Sequence, residues 1–248
     1  MVRKNAYGSG ATSSTLGRLW QSLRFMVPAD TVLFLKSAKT DEAIKRWRIE
    51  LGQRAAFENA YGGDGDPWCA GSPRYRYQGW KYDRLIEGLP KGRRFAHALD
   101  LGCGLGLLST RLADRADQVT GFDIAQAAVD RATARSSATP NVRFMQGDAA
   151  DLPSSLDGQF DLVVIADALY YLPPPITSEV LAKVASRIAD LLVPGGLCIL
   201  VNHYFFSLDP DSRLSRRIHD AFKSSPHFRV ASESRRPFYI VSMLDRVA

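Results

Sequence analysis

The chain has 248 residues, a formal net charge of +6, and 46% hydrophobic against 23% charged residues. That balance is ordinary for a globular enzyme and only modestly basic, which argues against a histone-like polycation. The length suits one domain with an appendage. The three cysteines, Cys69, Cys103 and Cys198, form no C-x-x-C pair. Their spacing disfavours a disulfide framework or a metal cluster and suits a reducing, cytoplasmic setting. No apolar run approaches the ~18 residues of a membrane-spanning helix. The basic N-terminus lacks the apolar core of a signal peptide.

Residues Met1–Thr15 are rich in Gly, Ser and Thr and read as a disordered or tag-like leader. Leu16, Leu19, Trp20 and Leu23 recur at helical spacing, and Pro28 is expected to stop that pattern. Val32–Leu35 is a short apolar run. Thr40 is placed to cap a helix with Asp41 and Glu42 in its first turn, continuing to about Tyr61. Its apolar positions, Ile44, Trp47, Leu51 and Phe57, are roughly one-sided. Such an arm is a lid, a partner-binding surface, or simply helices packed on the domain edge. We divide the chain into an extension, 1–60, and a main domain, 61–248.

Tyr61–Pro73 is too rich in glycine and proline to be a regular element. Ser72 then reads as an N-cap with Pro73 at the first helical position, opening a helix to about Leu89. That helix carries Tyr75, Tyr77, Trp80, Lys81, Tyr82 and Asp83. Trp68 before a tyrosine-rich helix either covers a small cavity or staples the N-terminal segment down.

From Phe95 strands and helices alternate. The patterns predict strands at about Phe95–Leu101, Gln118–Phe122, Val142–Gln146, Phe160–Ile165 and Leu197–Val201. Helices are expected at about Leu107–Arg115, Ala125–Ser136, over Ile176–Ile188, and at Asp211–Lys223. Two last strands, Phe228–Ser232 and Phe238–Leu244, suggest an antiparallel edge hairpin. The alternation implies an α/β fold with a mostly parallel sheet and helices on both faces.

Between the first strand and its helix stands A-L-D-L-G-C-G-L-G, Ala98–Gly106. The glycines remove side chains where a ligand or the helix must approach the backbone. The third glycine comes one residue early for a dinucleotide fingerprint, and no Lys-Ser or Lys-Thr pair makes a P-loop. Asp100 would repel a pyrophosphate but attract a cationic amino group. The D-x-G-x-G-x-G pattern resembles motif I of the class I S-adenosylmethionine-dependent methyltransferases, with the likeness extending from about Tyr61 to the C-terminus. It implies the seven-stranded Rossmann-like fold of that class and S-adenosylmethionine as cofactor, with S-adenosylhomocysteine as product.

Ligands of open parallel sheets bind outside the carboxyl ends of the strands. By the resemblance, Asp100 lies near the methionine end of the cofactor and Gly102, Cys103 and Gly104 on its backbone approach. Asp123 is placed to accept the ribose hydroxyls and Asp148 the adenine amino group, with Ile124 and Ala149 flanking the ring. Trp68 joins the cofactor set. Each acid alone could equally be a helix cap. The chemistry needs a positioned acceptor and excluded water, and an amine must be neutral to attack. His203, just past the fifth strand, is the expected base or acceptor orienter. Tyr171 and Asp167 join it as catalytic candidates, and Tyr75, Tyr82, Tyr170 and Tyr204 as acceptor-binding candidates. No metal is expected.

The strings D-P-W, G-S-P-x-Y, K-Y-D-x-x-L, F-D-L-V-V-x-x-x-A-L-Y-Y-L and P-G-G-L-x-x-x-x-H narrow the resemblance to the nodulation-protein-S type N-methyltransferases. That likeness implies N-methylation of a small molecule such as an amino sugar. The chain departs from it in its longer N-terminal extension and in Asp167, where the family often has glutamate. A small-molecule O-methyltransferase and a non-catalytic cofactor-binding module are the competing readings. A nucleic-acid methyltransferase is disfavoured: no D-P-P-Y or N-P-P-Y motif follows the fourth strand, and the basic residues form no stripe.

Overall fold

The structure, a computed structural model, describes residues 28–63, 65–205, 209–236 and 238–247. The leader and the helix expected at Leu16–Leu23 lie outside these residues. One seven-stranded sheet runs in the order β3-β2-β1-β4-β5-β7-β6. Strands β1 (Phe95–Leu101), β2 (Ala116–Asp123), β3 (Val142–Gln146), β4 (Phe160–Ala166) and β5 (Leu192–His203) are parallel. β7 (Tyr239–Arg246) joins antiparallel to β5, and β6 (Phe228–Arg236) closes the edge against β7. The chain winds outward from β1 to β3, then returns to β4 on the other side of β1. That reversal opens a crevice above the tips of β1 and β4.

The central strands are apolar on both faces because helices cover both. Leu99, Leu101, Val163 and Ile165 pack into a cluster with Leu181, Ala185 and Ile188 of α6 (Ser178–Leu191) and Phe222 of α7 (Pro210–Ser224). On the other face, Ala98, Leu162, Val164 and Ile199 meet Tyr77 and Leu85 of α3 (Arg76–Gly88) and Leu108 and Leu112 of α4 (Leu107–Leu112). A third cluster sits above the strand tips. It joins Ile44 of α1 (Pro28–Leu51) and Phe57, Ala60 and Tyr61 of α2 (Gln53–Gly62) to Ala125 and Ala128 at the start of α5 (Gln126–Arg135). This cluster, together with Leu33 and Phe34 of α1 packed against the second, seats α1 and α2 over the crevice.

The N-terminal region differs most from expectation. Pro28 opens a helix rather than stopping one. A proline is tolerated in the first turn, where its missing N–H has no helical partner. Thr40 is no cap; it lies inside α1, and its Oγ1 donates to the Pro67 carbonyl at 2.7 Å. Gly52, at φ 84°, separates α1 from α2, and the expected 60/61 boundary falls within α2. α3 starts at Arg76 without a cap from Ser72. Its Arg76 N–H donates instead to Asp30 Oδ1 at 2.8 Å, a buried carboxylate on α1. A cap supplied from a distant helix leaves no local sequence signature.

Among the described residues no helix is long and apolar enough to cross a membrane.

Candidate active site

The glycine turn after β1 is tied to the tip of β2. Gly102 and Cys103 N–H both donate to the Phe122 carbonyl, at 2.8 and 2.9 Å, and Gly104 N–H donates to Asp123 Oδ2 at 2.9 Å. Gly102 has φ 78°, and a Cβ there would stand 2.5 Å from the Ala168 Cβ. At Gly104, φ is 52° and a Cβ would stand 2.7 Å from the Tyr61 hydroxyl. Only glycine keeps this turn close to both strand tips and to the cavity above it.

That cavity has a volume of about 470 Å³ and lies over the carboxyl ends of β1, β2, β4 and β5. Gly102, Cys103, Gly104, Asp123, Ile124, Asp148, Ala149 and Trp68 line it, as do Asp167, Tyr170, Tyr171, His203, Tyr75 and Tyr82. Strand tips separated in sequence therefore converge on one chamber. Two expected residues do not line it. Asp100 is buried under the turn, where Ser109 Oγ donates to its Oδ2 at 2.6 Å. Tyr204 follows His203 on the opposite face of the extended chain. It is buried beneath Arg235, whose guanidinium lies 4.1 Å from the ring centroid.

Asp123 is buried, and its Oδ1 accepts from the Ala125 N–H at 3.0 Å, so the carboxylate also opens α5. Burial pushes its carboxyl up to about 6, against the backbone N–H groups that favour its charged form. Asp100 is pushed up to about 6 as well, by burial and by the neighbouring Asp123 charge. Asp148 Oδ1 accepts from Ala150 N–H at 2.8 Å. Glu58 of α2 supports the same edge, accepting from the Ala127 N–H at 3.0 Å at the start of α5. Carboxylates suit a helix N-terminus, where N–H groups lack helical partners.

At the other end stand the tips of β4 and β5. Asp167, at φ 55°, receives the His203 N–H on Oδ1 at 2.9 Å and pairs through Oδ2 with Lys81 Nζ. Lys81 is only 5% exposed, and this carboxylate is its ion-pair partner. The His203 ring lies 4.8 Å, edge-on, from that of Tyr170 and 6.1 Å from that of Phe205. Tyr171 donates its hydroxyl to Asp41 Oδ1, and Trp68 Nε1 donates to the same oxygen at 2.7 Å. Burial holds the Tyr171 phenol well above its ordinary range, so it keeps its proton. Asp209, which caps α7 by accepting from Ser212 N–H at 2.9 Å, also lines the cavity.

Asp41, Lys81 and Asp209 line the cavity but are not among the expected site residues. Lys81 did leave a signal. It stands between Tyr77 and Leu85 at i, i+4 spacing, a lysine within the buried stripe of a helix. Asp41 was legible only as a first-turn acid of a helix that in fact begins earlier.

Residues 98–196 match the family described as "Methyltransferase domain". YqeM of Bacillus subtilis (strain 168), named as a methyltransferase, is 31% identical over 164 residues, 58% of this chain and 63% of that protein. Trans-aconitate 2-methyltransferase of Deinococcus radiodurans is 34% identical over 46% of this chain and 40% of its own length. The chain thus spans less than two thirds of either relative. Among solved structures, the N-methyltransferase NodS of Bradyrhizobium japonicum WM9, in complex with S-adenosylhomocysteine, superposes with a TM-score of 0.62 at 18% identity. That superposition covers 78% of this chain and 98% of NodS. At that identity the likeness speaks for the fold.

The seven-stranded sheet has the Rossmann-like fold that NodS shows, and residues 98–196 within it match a methyltransferase domain, a family that uses S-adenosylmethionine as cofactor. The residues present fit that cofactor: a buried carboxylate at the β2 tip, an acid at the β3 tip, and a turn that a single Cβ would obstruct.

Proposed function

We propose that the protein methylates an amino group of a small molecule, an amino sugar being one candidate. In this reading Asp123 holds the ribose of the cofactor, Asp148, Ile124 and Ala149 its adenine, and the Gly102–Gly104 backbone its methionine end. Bound S-adenosylmethionine supplies a methyl carbon open to in-line attack, the C–S electron pair leaving on sulfur. The protein's own work is to position the acceptor, exclude water and move one proton. His203 is the group assigned to take that proton from the acceptor nitrogen. Tyr170 and Phe205 wall the imidazole in, and Asp167 fixes its backbone. Tyr171, expected to be catalytic, keeps its proton and spends it on Asp41, so we assign it to positioning.

One observation carries the reading: the charge of the cavity is opposite to that of the chain. The molecule is +6 overall, yet Asp41, Glu42, Asp66, Asp123, Asp148, Asp167, Asp209 and Asp211 line the chamber against Lys45, Lys81 and His203. Such a wall favours a cationic acceptor beside a sulfonium and disfavours a phosphate-bearing polymer. The relatives leave the acceptor open, since one is named for trans-aconitate and NodS for N-methyl transfer. O-methylation of a small molecule is therefore the competing reading. Methyl transfer from labelled S-adenosylmethionine to amine, phenol and nucleic-acid acceptors tests it. Label on an amine supports the proposal; label on phenols or nucleic acid alone overturns it.

A further inference from the structure

The N-terminal helix α1 lies over the acceptor end of the chamber and contributes Phe34, Asp41 and Lys45 to its lining. Asp41 is held unusually firmly for a residue on such an arm. Its Oδ1 accepts hydrogen bonds from the hydroxyl of Tyr171 and the indole N–H of Trp68. Those two donors come from the loop after β4 and from the loop before α3, so Asp41 ties three separate segments together. Among the described residues Oδ2 has no such hydrogen-bond donor, and the residue lines the cavity. His203 and Asp209 line the same cavity as Asp41. Rings of Trp68, Tyr171 and Phe57 gather at the same place, with centroids 5.2 to 6.2 Å apart.

An aromatic wall, a carboxylate oxygen without a donor and a second carboxylate in the same cavity are features that hold an alkylammonium. Burial drives the Asp41 carboxyl upward, a penalty that its two hydrogen bonds offset only in part. A cation in the chamber would relieve the remainder.

We infer that Asp41 determines acceptor specificity: its Oδ2 receives an acceptor amine that enters as the ammonium ion, and α1 is thereby part of the acceptor site. The inference rests on the proposed amine methylation but assigns a residue and a protonation state to it. The ammonium then loses one proton, its N–H pair staying on nitrogen and the proton passing to the His203 imidazole.

The test is calorimetry on the full chain saturated with S-adenosylhomocysteine, using two matched pairs, tyramine against tyrosol and glucosamine against glucose. Each pair exchanges an ammonium for a hydroxyl on one skeleton. At least one amine is expected to bind at least tenfold more tightly than its alcohol. Asp41→Asn, which keeps an acceptor for Tyr171 and Trp68, is expected to abolish that preference while leaving S-adenosylhomocysteine affinity within about twofold. Where an amine is turned over, its KM should rise at least tenfold with kcat less affected. Equal binding of amine and alcohol overturns the inference, as do absence of amine binding and an Asp41→Asn variant that retains the preference. Absence of S-adenosylhomocysteine binding in the wild type would instead overturn the cofactor assignment, so the two failures are distinguishable.

Discussion

Asp123 holds the glycine turn with one oxygen and the start of α5 with the other, and it does so while buried. Replacing it with alanine should weaken S-adenosylhomocysteine binding by about 10- to 100-fold, the range of a lost charge-assisted hydrogen bond to a ligand. A pH dependence follows from the same residue. In the proposed binding mode the ribose hydroxyls donate to the charged carboxylate, so binding favours ionised Asp123, and protonation competes with the ligand. With its carboxyl raised to about 6, affinity should be constant above that pH and fall by up to about tenfold per unit below it. Titration calorimetry between pH 7.5 and 5 checks this, and Asp123→Asn should flatten the profile. His219 makes the opposite kind of statement about stability. It is fully buried between Asn202 Oδ1 at 3.1 Å and Ser242 Oγ at 2.7 Å, and burial pushes its pKa down to about 4. The unfolded chain takes up this proton near pH 6.5 and the folded one only near 4. Its contribution is therefore complete above 6.5 and is lost as pH falls through that window, by about 1.4 kcal/mol per unit. The ring signal of His219 should titrate near pH 4 by NMR; a midpoint near 6.5 would contradict the neutral buried assignment.

At the level of elements, the sheet was legible and the helical cover was not. Every strand reads from its own residues, because a short apolar run bounded by turn residues is a local pattern. The Val142–Gln146 strand matches its expected bounds, and β1 does likewise. α1 and α2 were read late and as one, because Pro28 looks like a terminator and Thr40 like a cap when only neighbours in sequence are considered. What decides the matter is non-local: Thr40 bonds Pro67, and Asp30 caps α3. The same holds for the site. Asp123, Asp148 and His203 could be found at strand ends, whereas Asp41 and Lys81 become site residues only once α1 and α3 fold over the crevice. Tyr204 stays out of the cavity for the reverse reason, since a neighbour in sequence points to the other face. The turn itself gives the element-scale test. Gly102→Ala places a Cβ at φ 78° and 2.5 Å from Ala168. A left-handed non-glycine residue alone costs about 1–3 kcal/mol. We expect a lower melting temperature and S-adenosylhomocysteine binding weakened at least tenfold; unchanged values in both measurements would contradict the tight-turn account.

On the scale of the whole molecule, a chain of net charge +6 encloses an acid-lined chamber. The roof of that chamber comes from α1 and α2, the floor from the strand tips, and the third apolar cluster joins them. In the proposed reading, one sheet edge serves both a nucleoside at β2 and β3 and an acceptor at β4 and β5. The arrangement also predicts that the chain's net positive charge has no part in catalysis: added duplex DNA should not inhibit transfer to a small amine, as rate measurements with and without it would show. The account as a whole depends on the cofactor lying against Asp123 and the glycine turn. Titration of the wild-type chain and of Asp123→Ala with S-adenosylhomocysteine, followed by calorimetry at pH 7.5, tests this most directly. One ligand per chain, with affinity reduced at least tenfold in the variant, is the predicted result. No heat in the wild type, or equal affinity in the two proteins, would contradict it.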